Sequence, residues 1–108
     1  MSDVSSGAPG LNSKRFADCL HTPFLLEEPT KGGVRLELVA VTEAKYSPQV
    51  ENFSLLFYGP LQPVLPQCIY RLNHDALGSM EIFLVPLGPD AESMQYEAVF
   101  NRIRPESQ

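Results

Sequence analysis

An all-β antiparallel domain is predicted here, either a small barrel or a sandwich of five to six strands with a short N-terminal helix. Three observations predict it. Apolar residues alternate with a period of two through five or six short segments, turn-forming Gly, Pro, Asn and Asp separate those segments at fairly regular spacing, and no long stretch carries helical periodicity. The chain has 108 residues, a size at which one core is usual, and its 44% hydrophobic content argues against a disordered, collagen-like or coiled-coil chain. We therefore place a single domain at 13–104, between a flexible tail at 1–12 and a polar tail at 105–108.

Met1 to Asn12 is rich in Ser, Gly and Pro and has little to bury. Asn12 or Ser13 then offers a side-chain oxygen to the first amides of a short helix, on which Phe16 shares a face with Cys19 or Leu20. From Pro23 the period changes to two. Phe24 to Glu27 forms a first strand, closed by Pro29 and the Lys31-Gly32-Gly33 turn, where glycine supplies positive φ without a steric penalty. Val34 to Val41 is the clearest strand, with Val34, Leu36, Leu38 and Ala40 pointing to the core. Thr42 to Asn52 is polar, carries Pro48 and reads as a loop.

Phe53 to Tyr58 is apolar on both faces, which suits a central strand or barrel wall, and Gly59-Pro60 ends it. Pro60, Pro63 and Pro66 each remove a donor and bias the preceding residue away from helix, so Leu61 to Gln67 is extended or turned. Cys68 to Asn73 is the next strand, with Cys68, Tyr70 and Leu72 on one face. His74 to Gly78 forms a tight turn, with Asp75 capping and Gly78 left-handed. Ser79 to Leu87 pairs back, with Met80, Ile82 and Leu84 on one side and Glu81, Phe83 and Val85 on the other. Gly88-Pro89-Asp90 turns the chain into a last strand, Gln95 to Arg102, whose Tyr96, Ala98 and Phe100 face the core.

Several function classes are excluded or disfavoured. A net charge of -5 opposes non-specific nucleic-acid binding, which draws its affinity from Lys and Arg. No apolar run approaches the roughly 18 residues of a membrane span. The N-terminus lacks the basic and apolar segments of a secretory signal, so the expected compartment is the cytoplasm, with export as part of an assembly left open. The two cysteines, Cys19 and Cys68, are too few for a disulfide scaffold and are read as free thiols.

Catalytic chemistry finds little support. The chain holds two histidines, His21 and His74, and a Cys68–His74 pair would span roughly 20 Å of extended strand. A buried thiol and a turn histidine are the simpler reading. Neither C-x-x-C, H-E-x-x-H nor an EF-hand run is present, so no metal or cofactor is expected. Glu27-Glu28 are strand neighbours facing opposite ways and suit a solvated edge. Gly32-Gly33 precedes a strand, whereas phosphate cradles precede a helix. Arg102 and Arg104 near the end read as solubilising.

Three blocks resemble a family of small bacterial domains of unknown function: Phe53 to Pro60 (FSLLFYGP); Leu65 to Leu72 (LPQCIYRL) with His74 and Leu77-Gly78; and Ile82 to Gly88 (IFLVPLG) with Tyr96 to Arg102 (YEAVFNR). The likeness covers about Phe16 to Arg102 and departs at Cys68, where glycine is commoner. It implies no catalytic residue or substrate. Similar proteins being encoded beside phage-tail-collar-like proteins, it implies an accessory or structural role in a tail-like or secreted assembly.

What remains is an excess of apolar side chains on both faces of the strands. The first expectation is a non-enzymatic interaction or structural module, binding a protein partner or a second copy through a sheet face or an edge strand. Phe57, Tyr58, Tyr70 and Phe83 are its candidate contacts. The second is a small-molecule-binding β-barrel, with Arg71 and His74 as polar contacts and Leu61 to Gln67 covering a pocket.

Overall fold

The computed structural model describes residues 13–27, 33–47, 50–62 and 64–103. Helix α1 (Ser13–Ala17) leads into strands β1 (Pro23–Leu26), β2 (Arg35–Ser47), β3 (Val50–Gly59), β4 (Cys68–His74), β5 (Gly78–Asp90) and β6 (Ser93–Ile103). The strands close into a barrel in the order β1-β2-β3-β6-β5-β4, with β4 returning to β1 and every pairing antiparallel. Closure rests on the short strand β1. Its Leu25 lies opposite Arg35 of β2 on one side and Asn73 of β4 on the other.

Two segments differ from the sequence reading. The polar stretch expected to be a loop continues both strands, because β2 runs on to Ser47 and β3 begins at Val50. Backbone pairing of Thr42 with Ser54, Glu43 with Phe53 and Ala44 with Asn52 holds this ribbon together, and a backbone ladder does not itself require apolar alternation. The turn expected at Gly88-Pro89-Asp90 lies further on, at Ala91-Glu92, with Asp90 opposite Ser93. Gly88 instead follows a register shift between Pro86 and Gly88, where its φ of 119° suits a bulge. Past Leu84, β5 pairs with β6 alone, so Pro86 and Pro89 sit where a missing N–H need not break a second ladder.

Another bulge corrects one inward assignment. A register shift between Leu38 and Ala40 inserts Val39, so the inward parity passes from Leu38 to Val41, opposite buried Leu55, rather than to Ala40. Elsewhere the period of two holds: Leu36 and Leu38, Met80, Ile82 and Leu84, and Tyr96, Ala98 and Phe100 are all interior.

Helix α1 has five residues, too few to be stable alone. It is held by packing. The ring of Phe16 lies 6.1 Å from Phe53 and 5.7 Å from Phe100, which stack on each other across β3 and β6 at 4.7 Å. Each such pair contributes about 0.5–1.5 kcal/mol beyond area burial. Ser13, expected as a possible cap, donates its hydroxyl to the Glu43 carboxylate of β2; Asn12 lies outside the described residues. The His21 N–H donates to the Leu38 carbonyl at 2.6 Å, with His21 itself at a left-handed φ of 66°.

The proline-rich segment between β3 and β4 is non-helical wherever it is described, as expected. It packs into the end of the barrel through Leu65. Leu65 is fully buried, and its N–H donates to the Tyr96 hydroxyl at 2.8 Å. The Tyr70 hydroxyl donates to the Pro66 carbonyl at 2.6 Å. At the same end, a Cβ on Gly59 would lie 2.6 Å from Leu36 Cδ2, so a larger residue here would force the Leu36 side chain to shift. The tails, Glu28, Pro29, Lys31, Gly32, Pro48, Pro63 and Arg104 lie outside the described residues.

Candidate interaction surface

Closure of the barrel changes where a partner can bind. The ring has no full-length sheet edge, but past Leu84 β5 pairs with β6 alone, so a short edge remains beside the outer sheet face. The four candidate contacts divide on this point. Phe57 is fully buried, edge-on to Phe24 at 5.2 Å, and Tyr70 is buried at 7% exposure with its hydroxyl on Pro66. Both are core residues.

Tyr58 and Phe83 do point outward, but from different strands. Tyr58 of β3 donates its hydroxyl to Asp90 Oδ2 at 2.8 Å, and that hydrogen bond to a carboxylate pushes its pKa above the ordinary tyrosine value. Phe83 of β5 lies opposite Ile69 of β4 and is half-buried.

Around Phe83 the outer face gathers side chains that size alone would not single out. Ile69 is 49% exposed, Leu87 50% and Val99 48%. Val85 of β5 and Leu56 of β3 both lie opposite Glu97 of β6, and Val99 follows two residues along the same face. The result is an outward apolar band over β4, β5, β6 and β3 with Glu97 within it. The sequence signal was present in the second parity of these strands, Ile69, Phe83, Val85 and Val99. Ranking by aromatic size hid it, because large aromatic side chains are also what fills a small barrel.

The chemistry considered from sequence disperses in three dimensions. Cys68 and His74 stand at opposite ends of β4, opposite Leu84 and Gly78. Cys68 is exposed, not buried, and its Sγ donates to the Ile69 carbonyl at 3.6 Å. Cys19 is the buried thiol, and both cysteines are free. Burial, reinforced by Asp18, raises the Cys19 pKa against the opposing effect of Arg15. Among the described residues no group of three His, Cys, Asp or Glu could hold a metal ion, and no helix is long and apolar enough to cross a membrane. Glu27 is exposed and accepts from Asn73 Nδ2 at 3.3 Å.

One concave feature lies on the outer side of β1. Thr22, Leu25, Arg35, Asn73, His74 and Asp75 line a cleft of about 320 Å³. His74, expected as a ligand contact, is there; Arg71 is not. The Arg71 guanidinium is engaged with Glu81 at 3.2 Å and approaches Glu27 at 3.9 Å. In place of the expected Asp75, His74 caps the turn, its Nδ1 accepting the N–H groups of Ala76 and Leu77. Gly78 takes the left-handed position expected of it, with φ 82°.

Fold and surface together define a small closed antiparallel β-barrel, its interior filled with side chains and its outer wall partly apolar. The chain belongs to the family described as a domain of unknown function (DUF6916), which matches residues 11–100. Comparison with curated proteins and with solved structures gives no match.

Proposed function

We propose that this domain is a non-enzymatic interaction or structural module that binds a protein partner, or a second copy of itself, through the outer face of β4, β5, β6 and β3. The observation that carries this reading is the band of Ile69, Phe83, Val85, Leu87 and Val99, three of them about half exposed. An apolar band on the outer wall of a small barrel is costly in water, and burial against a partner recovers about 25 cal/mol per Å². The resemblance of the strand blocks to bacterial domains encoded beside tail-collar-like proteins supports placing the module in a tail-like or secreted assembly.

A small-molecule reading draws on the cleft beside His74. It is the weaker of the two, because Leu65 and the core rings fill the barrel and both nitrogens of His74 are already engaged.

The test is solution mass by light scattering over a range of concentrations, comparing the wild type with an Ile69→Ser/Val99→Ser variant. We expect wild-type mass to rise above the 12.0 kDa of one chain and the variant to remain there with unchanged circular dichroism. A wild type that stays at one chain removes self-association and moves the comparison to cross-linked capture from the host. Equal capture by both proteins would show that this face is not the binding surface.

A further inference from the structure

We propose that His74 is an acid-sensitive latch holding the β4–β5 turn against the corner between α1 and β1, and that protonation of its ring releases both. Four hydrogen bonds define the latch. The Nδ1 atom accepts the backbone N–H of Ala76 at 3.0 Å and of Leu77 at 3.2 Å. Two donors aimed at one ring nitrogen require a lone pair there, so the neutral ring carries its proton on Nε2. Nε2 lies 2.8 Å from Thr22 Oγ1, and the Thr22 hydroxyl donates its own proton to the Cys19 carbonyl at 2.5 Å. With that proton spent, Thr22 Oγ1 accepts from Nε2–H. The tautomer is thus set from both sides, and the ring joins segments 52 positions apart in the chain.

A second proton has one place to bind, Nδ1, where it would face two N–H donors. The imidazolium therefore cannot keep the turn cap. Nor can the ring easily swing away within the closed structure, since it is only 9% exposed and lies 4.4 Å from the Phe24 ring of β1. Among the described residues, the charged groups that line the same cleft are Asp75 on its own turn and Arg35 of β2. From the corner come the Thr22 hydroxyl and, behind it, the backbone carbonyl of Cys19. Burial lowers the His74 pKa below its ordinary 6.5, and Asp75 opposes this only in part.

The sign follows from which state holds the proton more tightly. The unfolded or opened chain takes up the proton near pH 6.5, whereas the closed latch resists it to lower pH. The latch contributes its full stability above about 6.5 and loses it as pH falls through that value towards the folded-state pKa. Opening would uncover Phe24, which is fully buried when the latch is closed, beside the already exposed Leu25.

The experiment is NMR on the full chain from pH 8 to pH 5, following the ring nitrogens of His74 and the hydrogen-exchange protection of three amides. Ala76 and Leu77 report on the turn. Leu38, whose N–H donates to the Thr22 carbonyl, reports on the corner. The expected neutral tautomer is Nε2–H, and protection of all three amides should fall together by up to tenfold per pH unit below about 6.5. In His74→Asn the side-chain carbonyl stands near the former Nδ1 position and does not titrate, so protection should be flat over the same range. An Nδ1–H tautomer, flat wild-type protection, or an equal fall in His74→Asn would each overturn the proposal. The tautomer and the wild-type series stand even where the variant does not fold.

Discussion

The seal on the barrel can be tested through three tyrosine hydroxyls whose surroundings differ in burial. Tyr96 is 1% exposed and its hydroxyl accepts the N–H of fully buried Leu65. Tyr96→Phe keeps the ring and removes the acceptor, leaving a buried donor unpaired. Such a group costs about 1–3 kcal/mol, against a net stability of roughly 5–15 kcal/mol for a domain of this kind. Tyr70→Phe removes a donor from the Pro66 carbonyl, and Pro66 is exposed enough for water to replace it. Its expected cost is about 0.5–1.5 kcal/mol. Tyr58→Phe removes a surface hydrogen bond to Asp90 and should leave stability unchanged within error. Urea unfolding of the three variants, fitted with a common slope, measures the order directly. With a slope of about 1–3 kcal/mol per molar, the Tyr96 variant should lower the midpoint by roughly 1 M. A neutral Tyr96→Phe, or a Tyr70→Phe at least as costly, would mean that Leu65 does not seal the barrel.

Two further outcomes follow from local geometry. Ala91 holds a left-handed φ of 57° at the first position of the two-residue turn between β5 and β6. Ala91→Gly should therefore raise the urea midpoint by an amount equivalent to about 1 kcal/mol, and a lowered midpoint would contradict this backbone conformation. Exposed Cys68 should react with a maleimide at a rate near that of a small thiol, while buried Cys19, its pKa raised by desolvation, reacts only as the domain opens. Equal rates for the two under native conditions would contradict the packing of the α1 corner.

Much of the architecture was legible in the chain because it depends on short-range physics. The alternation of Met80, Ile82 and Leu84, and of Tyr96, Ala98 and Phe100, follows from the pleat of a strand, and these residues are interior. The prolines at 60 and 66 exclude helix through their fixed φ and missing N–H wherever they fall. Gly78 was recognisable as a turn glycine for the same local reason. The Gly88-Pro89-Asp90 turn signal misled because register, not composition, sets where a hairpin reverses. Once Asp90 pairs with Ser93, Ala91 must take the strained position that glycine would occupy more cheaply.

Barrel closure, and the inward face of strands apolar on both sides, belonged to tertiary structure. Closure needs the few residues of β1 to pair with β2 and β4 at once, and no single-strand pattern reports a partner's identity. Strands apolar on both faces leave open which face becomes the inside. Two local bulges, at Val39 and Leu87, then shift the parity of β2 and β5. That choice sent Phe57 and Tyr70 to the core and left Ile69 and Val99 outside. The hydrogen bonds of His74 are likewise invisible in sequence, because Thr22 meets it only after the ring of strands has closed.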